Sequence, residues 1–208
     1  MQLTSIVALA LVCALPHSAF AACAKPAFTA AQGKTISTRS PNQGLFSSAV
    51  LVELNHVRCQ KNLRQLTASA GLTKVAATHA AWMARARKLS HRSTVAGQSS
   101  LKPRIKSAGV SFKTAAENIA FIDRYRLGRQ PFRVISAANC RFRDGAGKPI
   151  AAHSYASLAR NVVAEWMASS GHRKNLLNRR MKMMGAGLAF DGKSPHCGRF
   201  FISQDFAG

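Results

Sequence analysis

The stretch WMASSGHRKNLL, residues 166–177, decides how this chain reads. Trp166 and Met167 have the character of the buried end of an amphipathic helix. The segment leading into them, SYASLARNVVAEWMASS, carries Leu158, Val162 and Val163 at the spacing of one inner face. A break is expected at Gly171, which leaves His172 at the breakpoint. A histidine just past a helix end stands where loops converge and functional groups gather, although it can also serve only as a favourable C-terminal cation. Downstream, MMGAGLAF and RFFISQDF flank the turn-rich DGKSPHCG and read as two strands of a hairpin that closes the domain.

Working towards the N-terminus, SSAVLVELNHVRCQKN sets Val50, Leu51, Leu54 and Val57 at helical spacing behind Ser47 or Ser48 as the cap. LTKVAATHAAWMARARKL repeats the pattern with Leu72, Val75, Ala76, His79, Trp82, Met83 and Ala86. Arg87 and Lys88 then complement the helix dipole, and His91 falls just past the end. LKPRIKSAG reads as a short helix, with Pro103 in its first turn and Gly109 as its stop. Between ENIAFI and the last long helix lies a basic, loop-rich excursion at about 123–153. It holds Arg124, Arg126, Arg129, Arg133, Arg141, Arg143 and Lys148 and is expected to be pinned by Cys140.

The charge balance is the strongest compositional signal. Thirty Lys and Arg face seven Asp and Glu, a formal net charge of +23, so the surface must attract polyanions or anionic headgroups. The bland alternative is that the charge serves solubility alone. The aromatic residues among the basic clusters, Tyr125, Phe132 and Phe142, are not read as a stacking platform for single strands, so nucleic acid is not the expected partner.

Residues 1–21 combine an apolar run too short to span a bilayer with the small-x-small triplet Ala19, Phe20, Ala21, and read as a cleaved secretory signal. A lipoprotein signal ending at Cys23 is the alternative, and Phe20 fits it poorly. Residues 22–45 read as a flexible lead-in and 46–208 as one domain with a basic insertion at 123–153; no transmembrane segment follows the signal. Export to the periplasm or beyond is therefore expected. Cys23, Cys59, Cys140 and Cys197 then suggest two disulfides. Three connectivities are open, and the one taken here is Cys140 with Cys197 and Cys23 with Cys59.

Of the three glutamates, Glu53 and Glu165 lie within predicted helices, where solvated roles are the default. Glu117, in TAAENIAF, enters an apolar run. A buried carboxylate needs a specific partner, which is either a plain Arg or Lys or a functional site. His56 and His79 read as packed or half-exposed helix residues. There is no H-E-x-x-H, G-x-S-x-G or phosphate-binding glycine loop.

The ordered series ELNHVR, ATHAAWMA, LSH, PRIKSAG, ENIA, EWMASSGHRKNLL, GAGLAF and FFISQDFAG resembles the CAP superfamily, the SCP-like family of cysteine-rich secretory, antigen 5 and pathogenesis-related domains. Its bacterial secreted branch is the nearest likeness. The resemblance implies an α+β fold, a three-layer α-β-α sandwich with a small antiparallel sheet between helices. It also implies a cleft in which His91, Glu117 and His172 meet. Where many plant and animal members place a second glutamate, this chain has Ser169, and the interval from Glu117 to Trp166 is longer than usual. His91, His172 and Glu117 are candidate ligands for Zn²⁺ or another divalent cation, and the same residues with Ser169 are candidates for the ligand cleft. The expected function is a non-enzymatic binding module for a lipid or other anionic envelope component. The alternative is a metal-dependent, protease-like hydrolase using the same cleft.

Overall fold

The computed structural model describes residues 23, 24 and 26–208, so the secretory signal read at 1–21 lies outside the described residues. Helix α1 spans Gln43–Gln60 and α2 spans Ala70–Ala86, with α3 at Leu101–Ser107, α4 at Tyr155–Ala168 and α5 at Ser170–Leu176. Strands β1 (Thr67–Ala68), β5 (Met183–Asp191), β6 (Arg199–Ala207) and β2 (Ala115–Asp123) form one sheet in the order β1-β5-β6-β2. β5, β6 and β2 pair antiparallel, and β1 joins the edge of β5 in parallel. A separate two-stranded ribbon, β3 (Phe132–Ser136) with β4 (Arg141–Asp144), lies within the basic insertion.

Strand alternation sorts the sheet into two chemically distinct faces. Met184, Ala186 and Leu188 of β5, Phe200, Ile202 and Phe206 of β6, and Ala116 and Ile122 of β2 pack against α1 and α4. Phe46, Val50, Leu54, Leu158, Val162 and Trp166 close this main core. The intervening residues face α2 and α3, where Ile119 and Phe201 meet Met83 and Ala84, and Ala207 meets Leu72 and Ile105. The α-β-α sandwich is therefore present: α2 and α3 on one side, α1 and α4 on the other.

The GAG of β5 is what lets α2 sit so low on the sheet. A Cβ at Gly185 would stand 2.1 Å from the backbone nitrogen of Thr73, and one at Gly187 would stand 2.2 Å from that of Ala77. Only hydrogen at these two positions admits the helix backbone.

Several local expectations shift. The cap of α1 is Asn42, whose side chain accepts from the Leu45 amide, not Ser47 or Ser48. Ser47 is buried and its Oγ accepts from Ala186 N in β5, a polar group that sequence spacing mistakes for a cap. The lead-in expected to be flexible carries defined contacts: Gln32 and Ile36 are buried, and Gln32 Nε2 donates to Ser48 Oγ in α1. Both disulfides take the expected pairing, Cys23–Cys59 and Cys140–Cys197. The insertion is a folded ribbon as well as a loop. Among the described residues no helix is long and apolar enough to cross a membrane.

Candidate functional site

Strand β2 carries Glu117 on the face turned towards α2 and α3, directly opposite Asp205 of β6, with Ser203 two positions along on the same face. Arg104 of α3 reaches down from above. It is fully buried, its Nη1 donates to Glu117 Oε2 in a short contact, and its Nη2 donates to the carbonyl of His91 at 3.1 Å. His91 lies in the loop after α2 and bonds through Nδ1 to Glu117 Oε1 at 2.7 Å, with its ring partly open to solvent. Ser203 Oγ donates to Glu117 Oε2 at 3.4 Å. Both oxygens of Glu117 are thus engaged by protein groups.

His79 of α2 covers the other side. Its Nε2 bonds to the Ser90 carbonyl at 2.9 Å and stands 3.7 Å from Glu117 Oε2, and its ring stacks on Trp82. Burial pushes the His79 imidazole down to about 4, so the ring is neutral at pH 7. His91 shifts the other way, because its hydrogen bond to Glu117 favours the charged ring. Asp205 is fully buried, and neither oxygen has a partner among the described residues. Burial, then the charge of Glu117, holds its carboxyl well above the usual range, so Asp205 keeps its proton. Glu117 thus faces both the Arg104 guanidinium and the His91 ring, whose charged form it favours.

His172 arrives by a different route from the one its sequence suggests. The helix breaks at Ser169, which takes extended backbone angles (φ −90°, ψ 125°) between α4 and α5. Gly171 lies inside α5 with open space around its missing Cβ and no positive φ, so it is not the breakpoint. The new helix is stitched to β2: Asn118 Nδ2 donates to the His172 carbonyl at 3.4 Å, and Asn175 Nδ2 donates to Asn118 Oδ1 at 2.9 Å and to the Glu117 carbonyl at 3.1 Å. Trp166 Nε1 anchors the end of α4 on the Ile119 carbonyl. This places His172 near His91, and burial followed by the His91 charge lowers its basicity. Ser169 marks the junction, but its side chain makes no capping bond.

These placements bear on a divalent cation. The donors do not fit one as arranged, because Glu117 is already neutralised by Arg104 and its second oxygen is held by His91. Among the described residues no group of three or more His, Cys, Asp or Glu side chains is set to hold a metal ion. Sequence reading had no signal for Arg104 beyond its place in PRIKSAG. Asp205 had one available signal, an acid inside an apolar strand, whose alternation puts it beside Ser203.

Residues 51–206 match the family described as Cysteine-rich secretory protein family, CAP. The chain belongs to this family. The CAP match takes in α2 to α5, β1 to β5, all but the last residue of β6 and all the residues of the cleft. Among solved structures, an extracellular protein containing an SCP domain from Bacillus anthracis str. Ames is 24% identical with a TM-score of 0.52. The alignment covers 79% of this chain and 41% of that one, so this chain spans about two fifths of the length of the Bacillus protein. An outer surface protein from Borrelia burgdorferi is 18% identical with a TM-score of 0.48, over 77% of this chain and 90% of that one. No curated protein matches the sequence.

Proposed function

We propose that this CAP domain is an exported, non-enzymatic module that binds an anionic component of the cell envelope. The observation that carries the reading is uncompensated charge: the net value is +23, and among the described residues only Arg58 and Arg104 of the basic side chains are buried. Arg104 is matched by Glu117, and the remaining ion pairs of Lys or Arg among the described residues are Arg87 with Asp191 and Arg199 with Asp123. Most of the other described Lys and Arg side chains are exposed or half-exposed. Two disulfides support an oxidising compartment. The buried centre supports a scaffold role, since its carboxylate is spent on Arg104 and no side chain in it is an activated nucleophile.

The test is retention of the mature protein on an acidic polymer and on anionic vesicles as salt is raised. Binding to both classes of anion that weakens steeply with salt supports the reading; indifference to charge and salt overturns it.

One observation favours a second reading. Glu117 holds His91 Nδ1 at 2.7 Å, and this is how a carboxylate orients an imidazole so that its Nε2 can take a proton from water. In that case the cleft hydrolyses an ester or amide, and His91→Ala abolishes turnover while leaving anion binding intact. Screening acyl and peptide substrates with the wild type against His91→Ala decides it: equal rates remove the hydrolase.

A further inference from the structure

The basic insertion ends in a ribbon whose chemistry is specific. Phe132 pairs with Asp144, Arg133 with Arg143, and Val134 with Phe142; the register then slips between Val134 and Ser136. Ile135 occupies that bulge, an irregularity that re-aims side chains and recurs beside functional sites. Ile135 and its neighbour Val134 are both large, apolar and exposed: Val134 is 50% exposed and Ile135 is 46% exposed. Arg133, Arg141 and Arg143 are exposed around them.

Two features show that this is a built surface. Arg133 stands directly across the strands from Arg143, and a like-charge pair at that position opposes the ribbon's own stability unless an anion lies against it. The ribbon is also tied to the body of the domain. Phe142 is buried and packs edge-on to Tyr125 and Phe132, His196 meets Phe132 edge-on, and Cys140–Cys197 ties the ribbon to the turn between β5 and β6. Arg143 Nη1 is held by the Gly147 carbonyl.

We infer that the β3–β4 ribbon docks on an anionic lipid bilayer, with Val134 and Ile135 entering the headgroup boundary and Arg133, Arg141 and Arg143 contacting phosphates. This rests on the anionic-partner reading and names the partner. Charge alone does not distinguish a lipid surface from an acidic polymer, but the apolar pair does. A soluble polysaccharide offers no hydrocarbon to receive Val134 and Ile135, whereas a bilayer accepts apolar side chains flanked by cations.

The experiment uses the mature protein and Val134→Ser/Ile135→Ser, which keeps every charge. Each is co-sedimented with vesicles of phosphatidylcholine, alone or mixed with phosphatidylglycerol, and separately titrated with polygalacturonate. Intact disulfides and an unchanged circular dichroism spectrum establish that the variant is folded. The expected result is binding to the mixed vesicles and not to phosphatidylcholine alone, weakened about tenfold in the variant, with polygalacturonate binding unchanged. Equal vesicle binding by wild type and variant overturns the ribbon while leaving the anionic-partner reading standing. Wild type that binds polygalacturonate but not the mixed vesicles overturns the bilayer in favour of a polymer. Binding to neither overturns both.

Discussion

Glu117→Gln should be tolerated better than its burial suggests, because Asp205 is poised to inherit its charge. The side chains of Glu117 and Arg104 are 1% and 0% exposed, and removing one partner of such a pair generally costs about 3–5 kcal/mol by stranding the other charge. Here Asp205 lies directly opposite and keeps its proton in part because Glu117 is ionised. Once position 117 is neutral, Asp205 ionises and faces Arg104 in its place. The net loss is then the weaker bonding of Arg104 and His91 to an amide oxygen, about 1–2 kcal/mol. Asp205→Asn alone should cost about 1 kcal/mol or less, since an amide keeps the neutral, hydrogen-donating character of a protonated carboxyl beside Glu117. The double variant has no carboxylate left for Arg104, and the full cost of about 3–5 kcal/mol should return. Urea unfolding at pH 7 of the four proteins gives the cycle. A double-variant cost equal to the sum of the singles, within about 0.5 kcal/mol, would refute the transfer of charge.

Three further outcomes are expected. Burial takes His79 and His153 down to about 4, so between pH 6.5 and 4 the unfolded chain binds two protons that the folded one refuses, while Asp205 holds one that the unfolded chain releases. His172, whose basicity burial also lowers, resists protonation in the folded state too, so stability should fall with acid across that window. His153→Gln should flatten it, and calorimetric melting of both proteins from pH 6.5 to 4.5 checks this; an unchanged slope contradicts it. Gly187→Ala pushes a methyl into the backbone of Ala77, which cannot yield as a side chain would, and should cost more than the roughly 1–3 kcal/mol of ordinary overpacking; a melting temperature within a few degrees of wild type would be inconsistent with the observed closeness of α2. Zn²⁺ should bind the chelator-stripped wild type only weakly, and Arg104→Met should tighten binding at least about tenfold by freeing Glu117; calorimetry showing tight binding to wild type lost in His172→Ala would restore the metal site.

Most of the fold was legible because local signals are strong here: α1, α2 and α4 follow their apolar spacing, α3 its Pro103 and Gly109, and the β5–β6 hairpin the turn-rich DGKSPHCG between its strands. The errors fall where a polar residue serves tertiary structure. Ser47 looks like a cap but bonds a strand, and Gly171 looks like a breaker although Ser169 makes the turn. The two-residue β1 is too short to leave a pattern. In the cleft, Glu117 was legible as a buried acid needing a partner. Which cation would answer it was not, because Arg104 is brought in only by the way α3 crosses β2.

Strand β6 shows what this arrangement means for folding. Phe200, Ile202 and Phe206 point into the main core, while Ser203 and Asp205 point to Glu117. A slip of one residue against β2 would exchange the two sets, driving an acid into hydrocarbon and exposing phenylalanine to Arg104. An all-apolar β6 would carry no such penalty, since Val, Ile and Phe are interchangeable on either face of a covered sheet. The buried acids therefore act as an alignment mark: they make any slip by an odd number of residues a high-energy state, so the strands that shape the cleft are held against a change of face.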